Sequence, residues 1–191
     1  MDALLADTDV FVQGYRPGGM DAMGYGAAAL AARRPGIIVV SLTAYGTQGP
    51  WAQRRGFDSL VQAATGFNLA EAQAADSALP QALPMQILDH ASGYLMAFAV
   101  AAAKVRQLQE GGSWHVRVSL AQTAHWLRSL GRVPSGFAIG EPDRHAYLES
   151  YASGFGNLMA VRPTPQLSRT PAHWCRPSVP PGSNAPQWPP R

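Results

Sequence analysis

LPMQILDHASGYLMAFAVAAAKV, beginning at Leu83, sets a single acid, Asp89, at the head of the most apolar helix-like run in the sequence. Composition demands no charge there. An aspartate just ahead of a helix is a preferred N-cap, because its carboxylate accepts the unpaired backbone N–H groups of the first turn. A carboxylate in that place is also equipped as a nucleophile toward an activated acyl group, forming a covalent intermediate that splits one hard step into two. Such a nucleophile must be ionised, which the positive end of a helix dipole favours. It must also be poorly hydrated, a condition that Leu88, Tyr94 and Leu95 would supply. Both duties ask for one location, so spacing alone does not separate them.

The other chemistry-bearing residues offer less. His90 follows Asp89, but neighbours on a helix diverge by about 100° and do not share one task, so it reads as a surface residue. His115, His125, His145 and His173 have no metal-ligand spacing. The single cysteine, Cys175, excludes an internal disulfide and a cysteine-based zinc cluster. No metal is expected, and a reduced compartment is.

The elements that must hold Asp89 are legible in outline. Val10–Val12 is a short β-branched and aromatic run, broken at Gly14 and Pro17. Alanine-rich MDAMGYGAAALAARRPG favours helix and stops at Pro35-Gly36. Residues 37–42, IIVVSL, form a continuous β-branched run, the pattern of a strand buried on both faces. Strand, helix and strand in this order predict a right-handed βαβ unit with parallel pairing, the first strand coming too early for any capping element before it. The glycine-bearing loop TAYGTQGPW follows the second strand, where α/β sheets place ligands; a plain turn is the alternative.

Further on, RRGFDSLVQAATGF predicts a helix with Phe57, Leu60, Val61 and Ala64 on one face. AEAQAADSALPQALP reads as a loop or short helical excursion. A long helix is expected from His90 to about Gln109, closed by Gly111-Gly112. Trp114–Leu120 alternates like a strand, and AQTAHWLRSLGR predicts a last helix with Ala124, Leu127 and Leu130 inward. The fold class is α/β, a parallel sheet with helix-rich connections.

Composition bounds the rest. The 191 residues are 47% apolar and 14% charged, with nine of the 16 prolines at or beyond Pro163. Two regions follow: an α/β domain over 1–133, and an extended linker with a Pro-rich tail over 134–191. The net charge is +3, and Lys104 is the only lysine beside fourteen arginines. No dense basic run interleaves with aromatics, which argues against a nucleic-acid partner. MDALLADTDVF has three acids and no basic leader, and Tyr94–Ala103 is about half as long as a membrane span. A cytoplasmic protein with no membrane partner is expected.

GYRPGGMDAMGYG, SLTAYGTQGPWA, GFDSLVQAATGF, LPMQILDHASGYLMAFAVAAA and GGSWHVRVSLAQT, in this order, resemble the middle of the class III CoA-transferases. This is the family of formyl-CoA and carnitine CoA-transferases, which also contains the 2-methylacyl-CoA racemases. The resemblance covers about residues 7–133 and implies part of a Rossmann-like large domain. It places the family's nucleophilic aspartate at Asp89, and implies CoA transfer from an acyl-CoA to a carboxylic acid through an aspartyl anhydride and an aspartyl-CoA thioester. It points to Gly14, Tyr15, Arg16, Arg55 and Phe57 as contacts for the co-substrate coenzyme A. Arginine suits phosphate and an aromatic ring suits adenine or the pantetheine arm; a surface charge at Arg16 and core packing at Phe57 are the plain alternatives.

The departures are as informative. The racemases carry a histidine where this sequence has Phe57, in GFD, and phenylalanine transfers no proton; the resemblance therefore favours a transferase. Ala22, in DAMG, stands where family members often have a phosphate-binding arginine. Family chains are about twice this length, with a preceding half and a later small domain bearing a glycine-rich loop. The expectation is thus a homo-oligomer, or a partner chain supplying the missing half, with a non-catalytic binding or assembly module as the alternative function.

Overall fold

The computed structural model describes residues 1–174 and 177–188; Cys175 and the tail arginines Arg176 and Arg191 lie outside the described residues. The chain divides into two compact units, Met1–Gly136 and Phe137–Arg191.

Three parallel strands form the centre of the first unit: β1 (Val10–Gln13), β2 (Ile38–Thr43) and β3 (Trp114–Ser119), in the order β1-β2-β3. Val10 pairs with Ile38, and Ile38 with Trp114. The unbroken apolar run is buried on both faces as its composition requires, from Ile37 through Val40. Ile37 and Val39 pack with Leu5 and Leu30 on one side; Ile38 and Val40 meet Ala103 on the other. Side chains alternate across the sheet, so one strand anchors two cores.

Leu5 belongs to a short helix, α1 (Asp2–Leu5), that precedes β1. The expectation of no capping element before the first strand is therefore wrong. Leu30 belongs to α3 (Ala27–Arg33), which with α2 (Gly19–Ala22) connects β1 to β2. Behind β2 come α4 (Asp58–Ala64), α5 (Phe67–Ala74) and the long α6 (Ile87–Glu110); α7 (Leu120–Ser129) follows β3 directly. Their apolar sides meet in a third cluster built on Ala44, Val61, Leu88, Leu120 and Ala124.

Three helices differ from the sequence reading, one in its start and two in the face they bury. α6 starts at Ile87 rather than His90, with Gln86 as its N-cap, so Asp89 is the third helical residue and not the cap. α4 buries Asp58, Val61 and Gln62 and leaves Phe57 and Leu60 outside. Phe57 is the N-cap, with extended backbone (φ −92°, ψ 167°), so it does not take part in the 3.6-residue period. α7 buries Leu120, Thr123 and Ala124 while Leu130, its C-cap, is exposed. Gly111, at φ +71°, ends α6 as expected. The buried hydroxyls of Ser92 and Thr123 satisfy each other at 2.8 Å between α6 and α7.

The second unit holds an antiparallel hairpin, β4 (Leu148–Ser153) with β5 (Gly156–Val161), registered Leu148 to Val161. The sequence reading had only linker there. Among the described residues beyond Pro163 there is no helix or strand.

Candidate active site

The carboxyl ends of the parallel strands and the start of α6 surround a cleft of about 470 Å³. Gly14, Tyr15 and Arg16 enter it from the turn after β1, Arg55 and Phe57 from the approach to α4, and Asp89 from the first turn of α6. All six residues singled out in the sequence thus line one concavity. Arg54, Thr43 and Leu120 line it too and were missed. The local signal for Arg54 was present in the Arg-Arg pair; Thr43 and Leu120 are brought in only by the sheet.

Each wall has a local cause. Gln13 folds its side chain back to accept the Tyr15 N–H at 2.9 Å, which turns the chain outward at the end of β1. Thr43 Oγ1 accepts the Gly46 N–H at 3.0 Å and starts the loop behind β2, where Gly46 takes φ +85°. Tyr45 and Trp51 meet edge to face at 5.0 Å, and the Arg54 guanidinium lies 5.0 Å from the Trp51 ring centre. Gly56 then runs against the end of β2 so closely that a Cβ would lie 2.9 Å from the Ala44 Cβ and 2.9 Å from Val61 Cγ2. No other residue fits there without a shift. Phe57, just after it, is turned out and 83% exposed, so core packing is excluded for its ring.

Asp89 is exposed on the cleft wall rather than buried. Of the three residues expected to shield it, only Leu88 is buried, and it lies beneath; Tyr94 is exposed and Leu95 lines a different cleft. Partial withdrawal from water still holds the Asp89 carboxyl above the ordinary carboxylate range, helped by the charge of Asp58 and opposed by His90. Asp58 accepts the Asp89 backbone N–H through Oδ2 at 2.8 Å. The capping duty expected of Asp89 is therefore performed on it, by an acid 31 residues away. Sequence reasoning gave Asp58 no role.

A second cleft, about 380 Å³, borders β3, α6 and α7, with Leu95, Phe98 and Trp126 beside Arg117 and Gln122. Gly46 and Thr47 of the loop behind β2 line it as well. On the same strands His115 Nε2 lies 3.0 Å from Ser41 Oγ; partial burial and then Arg117 hold its imidazole below the ordinary range, against Asp21. Among the described residues no group of histidines, cysteines or acids is arranged to hold a metal ion. No helix among them is long and apolar enough to cross a membrane.

A carboxyl in the first turn of a helix thus shares one cleft with three arginines and two exposed rings. Comparison with known families bears on what such a cleft serves. Residues 1–145 match the model of CoA-transferase family III. The chain belongs to that family. The probable fatty acyl-CoA transferase Rv3272 of Mycobacterium tuberculosis is 37% identical over 126 residues, covering 65% of this chain and 32% of the relative. Human succinyl-CoA:glutarate CoA-transferase is 27% identical over 150 residues, 78% of this chain and 33% of that one.

Among solved structures, orthorhombic Rv3272 superposes with a TM-score of 0.59 at 36% identity, over 66% of this chain and 35% of the other. A CAIB/BAIF family protein from Brucella suis shares the fold, with a TM-score of 0.61 at 21% identity, over 82% of this chain and 43% of its own. The family III chain described here spans about a third of the length of the curated relatives named above. Its α/β architecture with a parallel sheet is the one its family neighbours share.

Proposed function

We propose that this family III chain carries the nucleophile and part of the coenzyme A site of a CoA-transferase acting between an acyl-CoA and a carboxylic acid. One observation supports this above the others: Asp89 and the five residues expected to contact coenzyme A line one cleft. In this reading the Asp89 carboxylate attacks the thioester carbonyl, the C–S bond breaks, and an aspartyl–acyl anhydride forms with release of CoA thiolate. The thiolate attacks the Asp89 carbonyl, releasing the first acid and leaving an aspartyl-CoA thioester. The acceptor carboxylate displaces the thiolate from Asp89 to form a new anhydride. Attack of the thiolate on the acceptor acyl carbonyl then restores the carboxylate and yields the product acyl-CoA. Arg16, Arg54 and Arg55 hold phosphates, and Tyr15 and Phe57 flank the adenine or the pantetheine arm.

Incubating the purified chain with an acyl-CoA, trapping with hydroxylamine or borohydride and mapping by mass spectrometry tests this. A modification at Asp89 is expected in the wild type and is absent from Asp89→Asn. Binding of CoA with no adduct would instead assign the chain as a non-catalytic binding or assembly module. The exposure of Asp89 on the cleft wall is the observation that favours this second reading. Racemisation is disfavoured, because the exposed ring of Phe57 occupies the place of a proton-transferring histidine. The setting we propose is the cytoplasm, with a second copy or a partner chain completing the pocket.

A further inference from the structure

We propose that Asp58 is the positioning residue for Asp89, a carboxyl that seats the first turn of α6 and thereby aims the nucleophile into the cleft. This rests on the reading of Asp89 as nucleophile and adds a residue to it. Asp58 is only 1% exposed, and a buried acid is unfavourable unless its oxygens are bonded. Both are. Oδ2 accepts the Asp89 N–H at 2.8 Å, and Oδ1 accepts from the Gln62 amide, which also donates to the Met85 carbonyl at 3.1 Å.

These bonds grip the chain on either side of Gln86, the N-cap of α6, whose own side chain forms no capping bond. The start of the helix is therefore fixed from α4. Close approach at Gly56, where a Cβ would overlap Ala44 and Val61, in turn fixes Asp58 against the end of β2. A cap alone does not need a buried charge, since a neutral acceptor serves as well. The charge has a second effect: after partial withdrawal from water, which acts most, it helps keep the Asp89 carboxyl above the ordinary range, against His90, and so makes the ionised form more basic. Arg16, Arg54 and Arg55 face the same cleft and are the charges a bound ligand would engage.

The test compares Asp58→Ala and Asp58→Asn in the full 191-residue chain. The readouts are Asp89 adduct formation from saturating acyl-CoA, and the titration of the Asp89 carboxyl followed by its ¹³C shift. Asp58→Ala removes a charge-assisted hydrogen bond and is expected to slow adduct formation about tenfold at saturation. Asp58→Asn keeps an oxygen for the Asp89 N–H; it is expected to recover most of that rate, with the Asp89 midpoint moved to lower pH. Wild-type rate and midpoint in both variants would overturn the proposal, as would Asp58→Asn reacting as slowly as Asp58→Ala. If Asp58→Ala fails to fold, Asp58→Asn carries the test through its midpoint. If even the wild type forms no adduct, the nucleophile reading fails by itself. Positioning is then decided by hydrogen exchange at the Asp89 amide, which must quicken about tenfold in Asp58→Ala and change little in Asp58→Asn.

Discussion

At the Asp89 carboxyl, burial and a neighbouring acid work in one direction and His90 in the other. The folded state therefore binds the Asp89 proton more tightly than the unfolded chain does. Between the ordinary carboxylate value and the raised one, this group's contribution to stability falls as pH rises, because folding there favours the protonated form. The reactive anion grows through the same window. Adduct formation is thus expected to have an acid limb displaced above that of an ordinary aspartate, measurable as trapped Asp89 against pH. A limb at the ordinary position would show that the carboxyl is fully hydrated in the working protein. Asp89 was conspicuous in the sequence as an acid heading an apolar helix, and only the family resemblance gave it the part of a nucleophile. Asp58 was not legible, since Asp89 is distant in sequence, its other partner Gln62 is an ordinary neighbour one turn on, and a first-turn aspartate needs no further explanation.

Among the elements, β2 was the easiest to read, because a strand covered on both faces needs no polar alternation. Helix starts were harder. Gln86 caps α6 with no side-chain bond, so the only conspicuous capping type nearby, Asp89, drew the boundary three residues too late. Ser119 shows the opposite case: its hydroxyl accepts the Gln122 N–H at 3.2 Å and starts α7 one residue before the expected helix. Ser119→Ala should lower stability by about 1 kcal/mol in denaturant unfolding. Leu88, directly before Asp89, is fully buried among Val61, Leu120 and Ala124. Leu88→Ala should cost about 2–5 kcal/mol by the same measurement, and loosen the start of α6. A loss near that of Ser119→Ala would mean the cluster closes around the gap. The β4–β5 hairpin was missed although alternating residues flank a Ser-Gly-Phe-Gly turn. The prolines that follow gave the whole region the look of a tail.

The first unit is left with apolar surface that its own elements do not cover. Tyr94, Phe98, Val105 and Leu108 are exposed on α6 at spacings that put them on one stripe. At the sheet margin Val12 of β1 is exposed, and β1 pairs only with β2 among the described residues. Surface of this kind marks an interface or an aggregation liability. Chains about twice as long, such as the mycobacterial relative, have further sequence with which to meet it. The 20.3 kDa chain by itself is therefore expected to self-associate at micromolar concentration. Light scattering on a sizing column should report a mass of at least two copies. Phe98→Glu, which places a charge mid-stripe without touching the Asp89 cleft, should shift that mass toward the monomer while leaving the far-ultraviolet circular dichroism unchanged. A wild-type chain that elutes as a well-folded monomer would show that the stripe needs no cover, and would remove the physical reason for a partner.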